Sequence, residues 1–125
     1  MASFGDRDVE RLLSDASIVR HRGKIEAVIA NARATIVLRD ATPLHELVWS
    51  HAPSRHRAPR RRSDWPASTP ESVALAKALR RAGFRFVGPT TVYAAMQACG
   101  VVNDHLAGCP VRQEVERART AAFTE

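Results

Sequence analysis

A chain of 125 residues is long enough for one domain with a core and too short for two ordinary ones. Its 45% hydrophobic and 26% charged residues exclude a disordered chain, and no apolar run reaches the ~20 residues needed to span a membrane. The formal charge of +6 is carried by arginine except at Lys24 and Lys77, and a forked guanidinium suits phosphate oxygens, so a nucleic-acid partner is worth testing against the motifs.

The opening residues, Met1 to Arg11, carry acids and no apolar stretch. Neither a secretory signal nor a transit peptide is visible there, and a cytoplasmic chain is the expectation. The first helix is predicted over "DRDVERLLSDA", with Val9, Leu12, Leu13 and Ala16 on one face and acids in the first turn. A longer second helix follows over "KIEAVIANARATIVL", where Ile25, Val28, Ile29, Ala32 and Ile36 repeat at three- and four-residue steps. Pro43 suits the first turn of a short third helix with Leu44, Leu47 and Val48 inward and Trp49 near its end.

Composition then shifts. "SHAPSRHRAPRRRSDWPASTP" holds four prolines and five arginines and predicts a long exposed loop, either a solvated surface segment or a nucleic-acid contact. Within it Trp65 serves packing or DNA equally well. Ser68 and Glu71 have capping-box spacing and Pro70 a first-turn position, so a fourth helix starts there and ends at Gly83. A fifth runs from Gly88 and Pro89 to Gly100, and between the two lies "GFRFVG". A last short helix is predicted from Asn103, an N-cap type, with Asp104 as its first-turn acid. Residues 111–125 read as a polar, frayed tail after a domain over 1–110. No segment alternates like a strand, so the fold class is all-α.

The hairpin over 70–100 has two physical readings. Phe84, Phe86 and Val87 can tuck between the helices while Gly83 and Gly88 bring the backbone close to an outside group. The amides at the start of the next helix, with Thr90 or Thr91 and the charges of Lys77, Arg80, Arg81 and Arg85, then suit a phosphate. The other reading is a hairpin that only packs helices. His105 and Cys109 stand four apart; on a helix they face one way and can share a tetrahedral zinc, or coincide by chance. Cys99 and Cys109, in an intracellular chain, are expected as buried or metal-bound thiols rather than a disulfide. Tyr93 and Met96 fit the core; Gln97 either satisfies buried backbone or borders a pocket. Glu46 and Asp64 show no partner pattern and are read as solvated.

"RHRGKI", "ANA", "LAKALRRAGFRFVGPTTVYAAMQACGVVNDH" and "GC", in that order, resemble the DNA-3-methyladenine glycosylase I family of the helix-hairpin-helix glycosylases. The likeness covers roughly residues 8–110. It implies hydrolysis of the N-glycosidic bond of 3-methyladenine in alkylated double-stranded DNA. It also implies DNA binding through Gly83, Phe84, Arg85, Val87, Gly88 and Thr90, and zinc held in part by His105 and Cys109. The family's segment with the other two zinc ligands, the base-stacking aromatics and a base-contacting glutamate has no counterpart in this sequence. The resemblance therefore implies an incomplete N-terminal third, no assignable catalytic residue, and a non-catalytic DNA-binding chain as the alternative. Asn103 falls where related glycosylases place an aspartate; an amide cannot act as a general base, and capping is its expected role. Arg20, Arg22 and Lys24 in "RHRGKI" are either phosphate contacts or an exposed helix start. No membrane or protein partner is indicated.

Overall fold

The structure, a computed structural model, describes residues 1–122, and among them no strand occurs. Six α-helices form: α1 Asp6–Ser14, α2 Arg22–Leu38, α3 Leu44–Trp49, α4 Pro70–Arg81, α5 Pro89–Ala98 and α6 Arg112–Ala122. A single 3₁₀ turn, Arg62–Asp64, interrupts the Arg-rich connection between α3 and α4. No described helix is long and apolar enough to cross a membrane.

The α4–α5 hairpin builds the main core. Leu75 and Leu79 of α4 meet Val92, Tyr93 and Met96 of α5, with Phe84, Val101 and Val102 closing the ends. Leu44, Leu47, Val48 and Trp49 of α3 pack against this cluster as predicted. A second, smaller cluster joins α1 to α2 through Val9, Ile25 and Ile29. Arg33 ties the chain start to α2 by donating to the carbonyls of Ala2 at 2.9 Å and Phe4 at 2.8 Å.

Helix α2 departs from the single stripe read from its spacing. Ile25 and Ile29 face α1, while Ala27 and Ala34 are buried about half a turn away. Val28 and Ile36 stay half exposed. Ile36 lies on the α1-facing stripe, but it stands eleven residues past Ile25, roughly 16 Å along the axis and beyond the reach of α1. In α1 the helix stops at Ser14, which leaves Ala16 exposed.

Helix α4 starts one residue later than its predicted cap. Thr69, not Ser68, is the N-cap: its Oγ1 accepts from Ser72 N at 3.2 Å, and Ser72 Oγ accepts from Thr69 N at 2.9 Å. Serine here fills the place that a capping box usually gives to glutamate. At its other end Gly83, φ 90°, closes a Schellman turn, with Phe84 N donating to Leu79 O and Gly83 N to Arg80 O, both at 3.0 Å.

The C-terminal third differs most. No helix begins at Asn103; residues 101–111 run as turns, and α6 occupies the stretch read as a frayed tail. Two arginines dock it. Arg119 is buried and donates from Nε to Gly100 O at 2.6 Å and from Nη2 to Val101 O at 2.8 Å. Arg112 Nη1 donates to the carbonyls of Asn103 at 2.7 Å and His105 at 2.5 Å. Composition shows a polar segment here, but not that its arginines cap carbonyls which the turn leaves unpaired. The tail's last residues, 123–125, lie outside the described residues.

Candidate nucleic-acid interface and the Asp104 cluster

The turn joining α4 to α5 is held from outside. Asn31 of α2 donates from Nδ2 to Arg85 O at 3.1 Å and accepts at Oδ1 from Arg85 N at 2.8 Å. Both polar groups of one turn residue are satisfied by one side chain, so the loop is fixed without a strand or a second loop. Gly83 sits against α2 as well: a methyl at its Cα would lie 3.8 Å from Ala34 Cβ. Phe84 is buried and Val87 half buried, but Phe86 does not tuck between the helices. It takes a left-handed conformation, φ 58°, and is 54% exposed, its ring edge-on to His21 at 6.0 Å. The left-handed step at Phe86 turns the chain toward α5, and that step swings the side chain out.

Gly88 then caps α5 with ordinary extended backbone, φ −77°, and no side-chain hydrogen bond. Pro89 has no amide, so the free N–H groups of the first turn are those of Thr90 and Thr91, and both residues are exposed. A methyl at Gly88 would lie 4.0 Å from Arg80 Nη2, which puts a guanidinium beside the open helix start. Lys77, Arg81 and Arg85, on α4 and the turn, are exposed. The predicted DNA-contact residues Gly83, Phe84, Arg85, Val87, Gly88 and Thr90 are therefore contiguous, with Phe84 and Val87 bracing the turn and Gly88 and Thr90 presenting the amides. Arg22 is engaged by Glu10 at 2.5 Å, while Arg20 and Lys24 are exposed.

A second cluster forms around Asp104, and sequence reasoning missed it. Its Oδ2 accepts from Tyr93 Oη at 2.6 Å and Gln97 Nε2 at 2.5 Å. His56 Nε2 stands 2.8 Å from Oδ1, within ion-pair distance but without the angle of a hydrogen bond, and the backbone oxygen accepts from Trp65 Nε1 at 3.0 Å. Burial alone raises a carboxyl; here the hydrogen bonds from Tyr93 and Gln97, with His56 opposite, prevail and hold Asp104 below the usual carboxylate range. Burial first, and then the same hydrogen bond, push the Tyr93 phenol up.

Asp104 thus anchors the Arg-rich connection, which is no loose loop. Ala107 N donates to the carbonyl of buried Pro59 at 2.8 Å. Asp64, read as solvated, accepts at Oδ2 from the amides of Arg60 at 2.9 Å and Arg61 at 3.2 Å. These amide bonds, with the nearby arginines, hold its carboxyl low. An Asp three and four residues after backbone donors is the local signal; the contacts made by His56 and Trp65 are 48 and 39 residues long and leave none.

Asn103 is buried and has no capping role. Its Nδ2 donates to Arg112 O at 3.0 Å and Glu116 Oε2 at 2.9 Å, both of α6. His105 and Cys109 come together through a turn rather than a helix face, with Nδ1 and Sγ 3.5 Å apart. A tetrahedral zinc with ~2.3 Å to sulfur and ~2.0–2.1 Å to nitrogen puts two such ligands ~3.6 Å apart, so the pair matches one edge of that site. No cluster of three or more candidate ligands occurs among the described residues, so they fit half a zinc site and do not complete one. Cys99 is exposed and free. An open cleft of ≈ 1040 Å³ lies between these groups and α6, lined by Trp49, Trp65, Gln97, Asp104, His105 and Cys109 among others.

This all-helical frame is that of the solved 3-methyladenine DNA glycosylase I structures. One crystal structure of that enzyme superposes with a TM-score of 0.81 at 46% identity, over 87% of this chain and 62% of that one. A variant in complex with 3-methyladenine gives 0.82 at 29% identity, over 89% and 61%. The family model for methyladenine glycosylase matches residues 1–113, and the chain belongs to that family. It is 50% identical over 113 residues to DNA-3-methyladenine glycosylase 1 of Escherichia coli, which is 87% of this chain and 60% of that protein. The chain thus spans about three-fifths of the length of the relatives it matches.

Proposed function

We propose that the chain acts in repair of alkylated double-stranded DNA, gripping a backbone phosphate with the α4–α5 hairpin, a helix-hairpin-helix element, and serving hydrolysis of the N-glycosidic bond of 3-methyladenine. The carrying observation is the start of α5: amides without a capping side chain at Gly88, a turn fixed by Asn31, and the Arg80 guanidinium alongside. Helix amides and dipole together favour an anion there. A glycosylase must draw the target nucleotide out of the duplex, which costs least at a damaged base, and a fixed phosphate grip supplies a fulcrum for that step. The relatives named for this activity support the reading, as does the family match. A cytoplasmic setting fits a DNA substrate.

A second reading, DNA binding without base release, rests on the Asp104 cluster. Both carboxylate oxygens of Asp104 are engaged by Tyr93, Gln97 and His56, and Asn103 is committed to α6. Neither is free to act on a base. The two readings part when the purified chain is incubated with methylated DNA and released bases are separated by chromatography. Release of 3-methyladenine above the spontaneous rate supports the enzyme, and binding without release supports the second reading.

His105 and Cys109 we assign as two ligands of a zinc ion whose other ligands come from outside the described residues. The ion would fasten the 105–109 turn to whatever carries them. Titration with Co²⁺ tests this through a thiolate charge-transfer band that disappears in Cys109→Ser and in His105→Ala; a band unchanged in both variants overturns the assignment.

A further inference from the structure

The Arg-rich connection is ordered around groups that its arginines do not use. His56, Trp65 and Pro59 fasten it to Asp104 and Ala107, and Asp64 folds its centre. Of its five arginines only Arg61 is paired, with Asp64 at 3.2 Å. Among the described residues no group accepts a hydrogen bond from, or forms an ion pair with, the guanidinium of Arg55, Arg57, Arg60 or Arg62. All four are exposed. Arg57, Arg60 and Arg61 line a cleft of ≈ 700 Å³ with Thr69 and Tyr93. The two carboxylates in that cleft, Asp64 and Asp104, are turned to loop amides, Arg61, Tyr93, Gln97 and His56. The chain therefore gathers four like charges on one short ribbon with no direct hydrogen-bond or ion-pair partner, Asp64 offsetting them only in part through Arg61 and the nearby Arg57, and a polyanion relieves that field.

We propose that residues 55–62 form a second phosphate-binding track, separate from the α4–α5 hairpin, that takes the sugar-phosphate backbone of duplex DNA. Arg57, Arg60 and Arg61 line that one cleft while Arg55 and Arg62 lie outside its lining, so the charges are not gathered on a single small-anion site and suit a polymer of charge. Duplex DNA offers one charge per ~1.7 Å of axis. The hairpin adds continuity. Tyr93, which lines the cleft, stands five residues past Gly88, about 8 Å along α5, so one duplex can meet both. The inference rests on the reading of the chain as DNA-binding, and its test separates the two.

The measurement is fluorescence anisotropy of a labelled, undamaged 24-base-pair duplex with the full chain, as salt is raised from about 50 to 200 mM. Replacing Arg55, Arg57, Arg60 and Arg62 by Gln is expected to weaken binding about tenfold or more and to lower the log–log salt slope by two or more, at ~0.9 per phosphate contact. Each pair alone, Arg55→Gln with Arg57→Gln or Arg60→Gln with Arg62→Gln, should give about half that change. The fourfold Lys replacement should keep the slope. Unchanged affinity and slope in the Gln variants overturn the track while leaving the hairpin reading to stand if Gly88→Asp still weakens binding. The reverse pattern keeps the track and sinks the hairpin. Displacement of the duplex by poly-glutamate as effective, per charge, as unlabelled DNA would assign the ribbon to an acidic protein and overturn the proposal.

Discussion

Asn31 and the backbone of Arg85, 54 residues apart, exchange two hydrogen bonds of 3.1 and 2.8 Å, and through them α2 sets the shape of the turn that presents the α5 amides. Asn31→Ala leaves an amide and a carbonyl of the turn without a fixed partner. A loss of about 1–3 kcal/mol in urea unfolding is expected, together with weaker duplex binding. Asn31→Asp keeps the acceptor for Arg85 N but loses the donor, so it should fall between. Unaltered binding in Asn31→Ala would mean that the turn holds its shape unaided.

The Asp104 cluster makes stability depend on acid pH. The folded carboxyl titrates below its ordinary value, so its contribution is fully present above the usual carboxylate range, near pH 4, and is lost as pH falls through the depressed value. Urea midpoints between about pH 2 and 6 should show that loss, and Asp104→Asn should flatten it. Asp104→Ala, which strands the Tyr93 hydroxyl and the Gln97 amide, is expected to cost on the order of 2–4 kcal/mol at neutral pH. An acid limb unchanged in Asp104→Asn would place the pH dependence elsewhere.

Helix α6 is held by geometry as much as by charge. Arg119→Ala uncovers the carbonyls of Gly100 and Val101 and should cost about 2–4 kcal/mol; Arg119→Lys should recover only part, since a point charge cannot span both oxygens as the guanidinium does. Limited proteolysis reads the result directly, by earlier cleavage within 106–118. Equal protection of Arg119→Ala and the parent would contradict the docking.

Much of this molecule is written locally. The hairpin's extent, Gly83 as a left-handed terminator, Pro70 and Pro89 in first turns and the inward face of α3 all follow from spacing within a few residues. Helix α2 was only half legible because it serves two clusters on opposite faces, which a single-stripe pattern cannot encode. The segment after Gly100 misled for another reason: Asn103 is an N-cap type, but buried amides are equally suited to bridging, and α6 supplies the partners. Long-range ties such as His56 to Asp104 have no periodicity to betray them. The hairpin residues are legible from their motif, whereas Asn31 shows in the sequence only as part of "ANA", and its bonds to the turn span 54 residues.

The most direct measurement is duplex binding by Gly88→Asp. Gly88 has ordinary extended backbone, a methyl there would meet only Arg80 Nη2 at an unstrained 4.0 Å, and aspartate is a better N-cap than glycine by a few tenths of a kcal/mol, so the fold should be kept or slightly stabilised. Its carboxylate would occupy the α5 amides and repel a phosphate. A thermal midpoint at or above that of the parent with duplex affinity reduced about tenfold or more is the predicted result; affinity equal to the parent's at the same salt would contradict the phosphate-gripping hairpin.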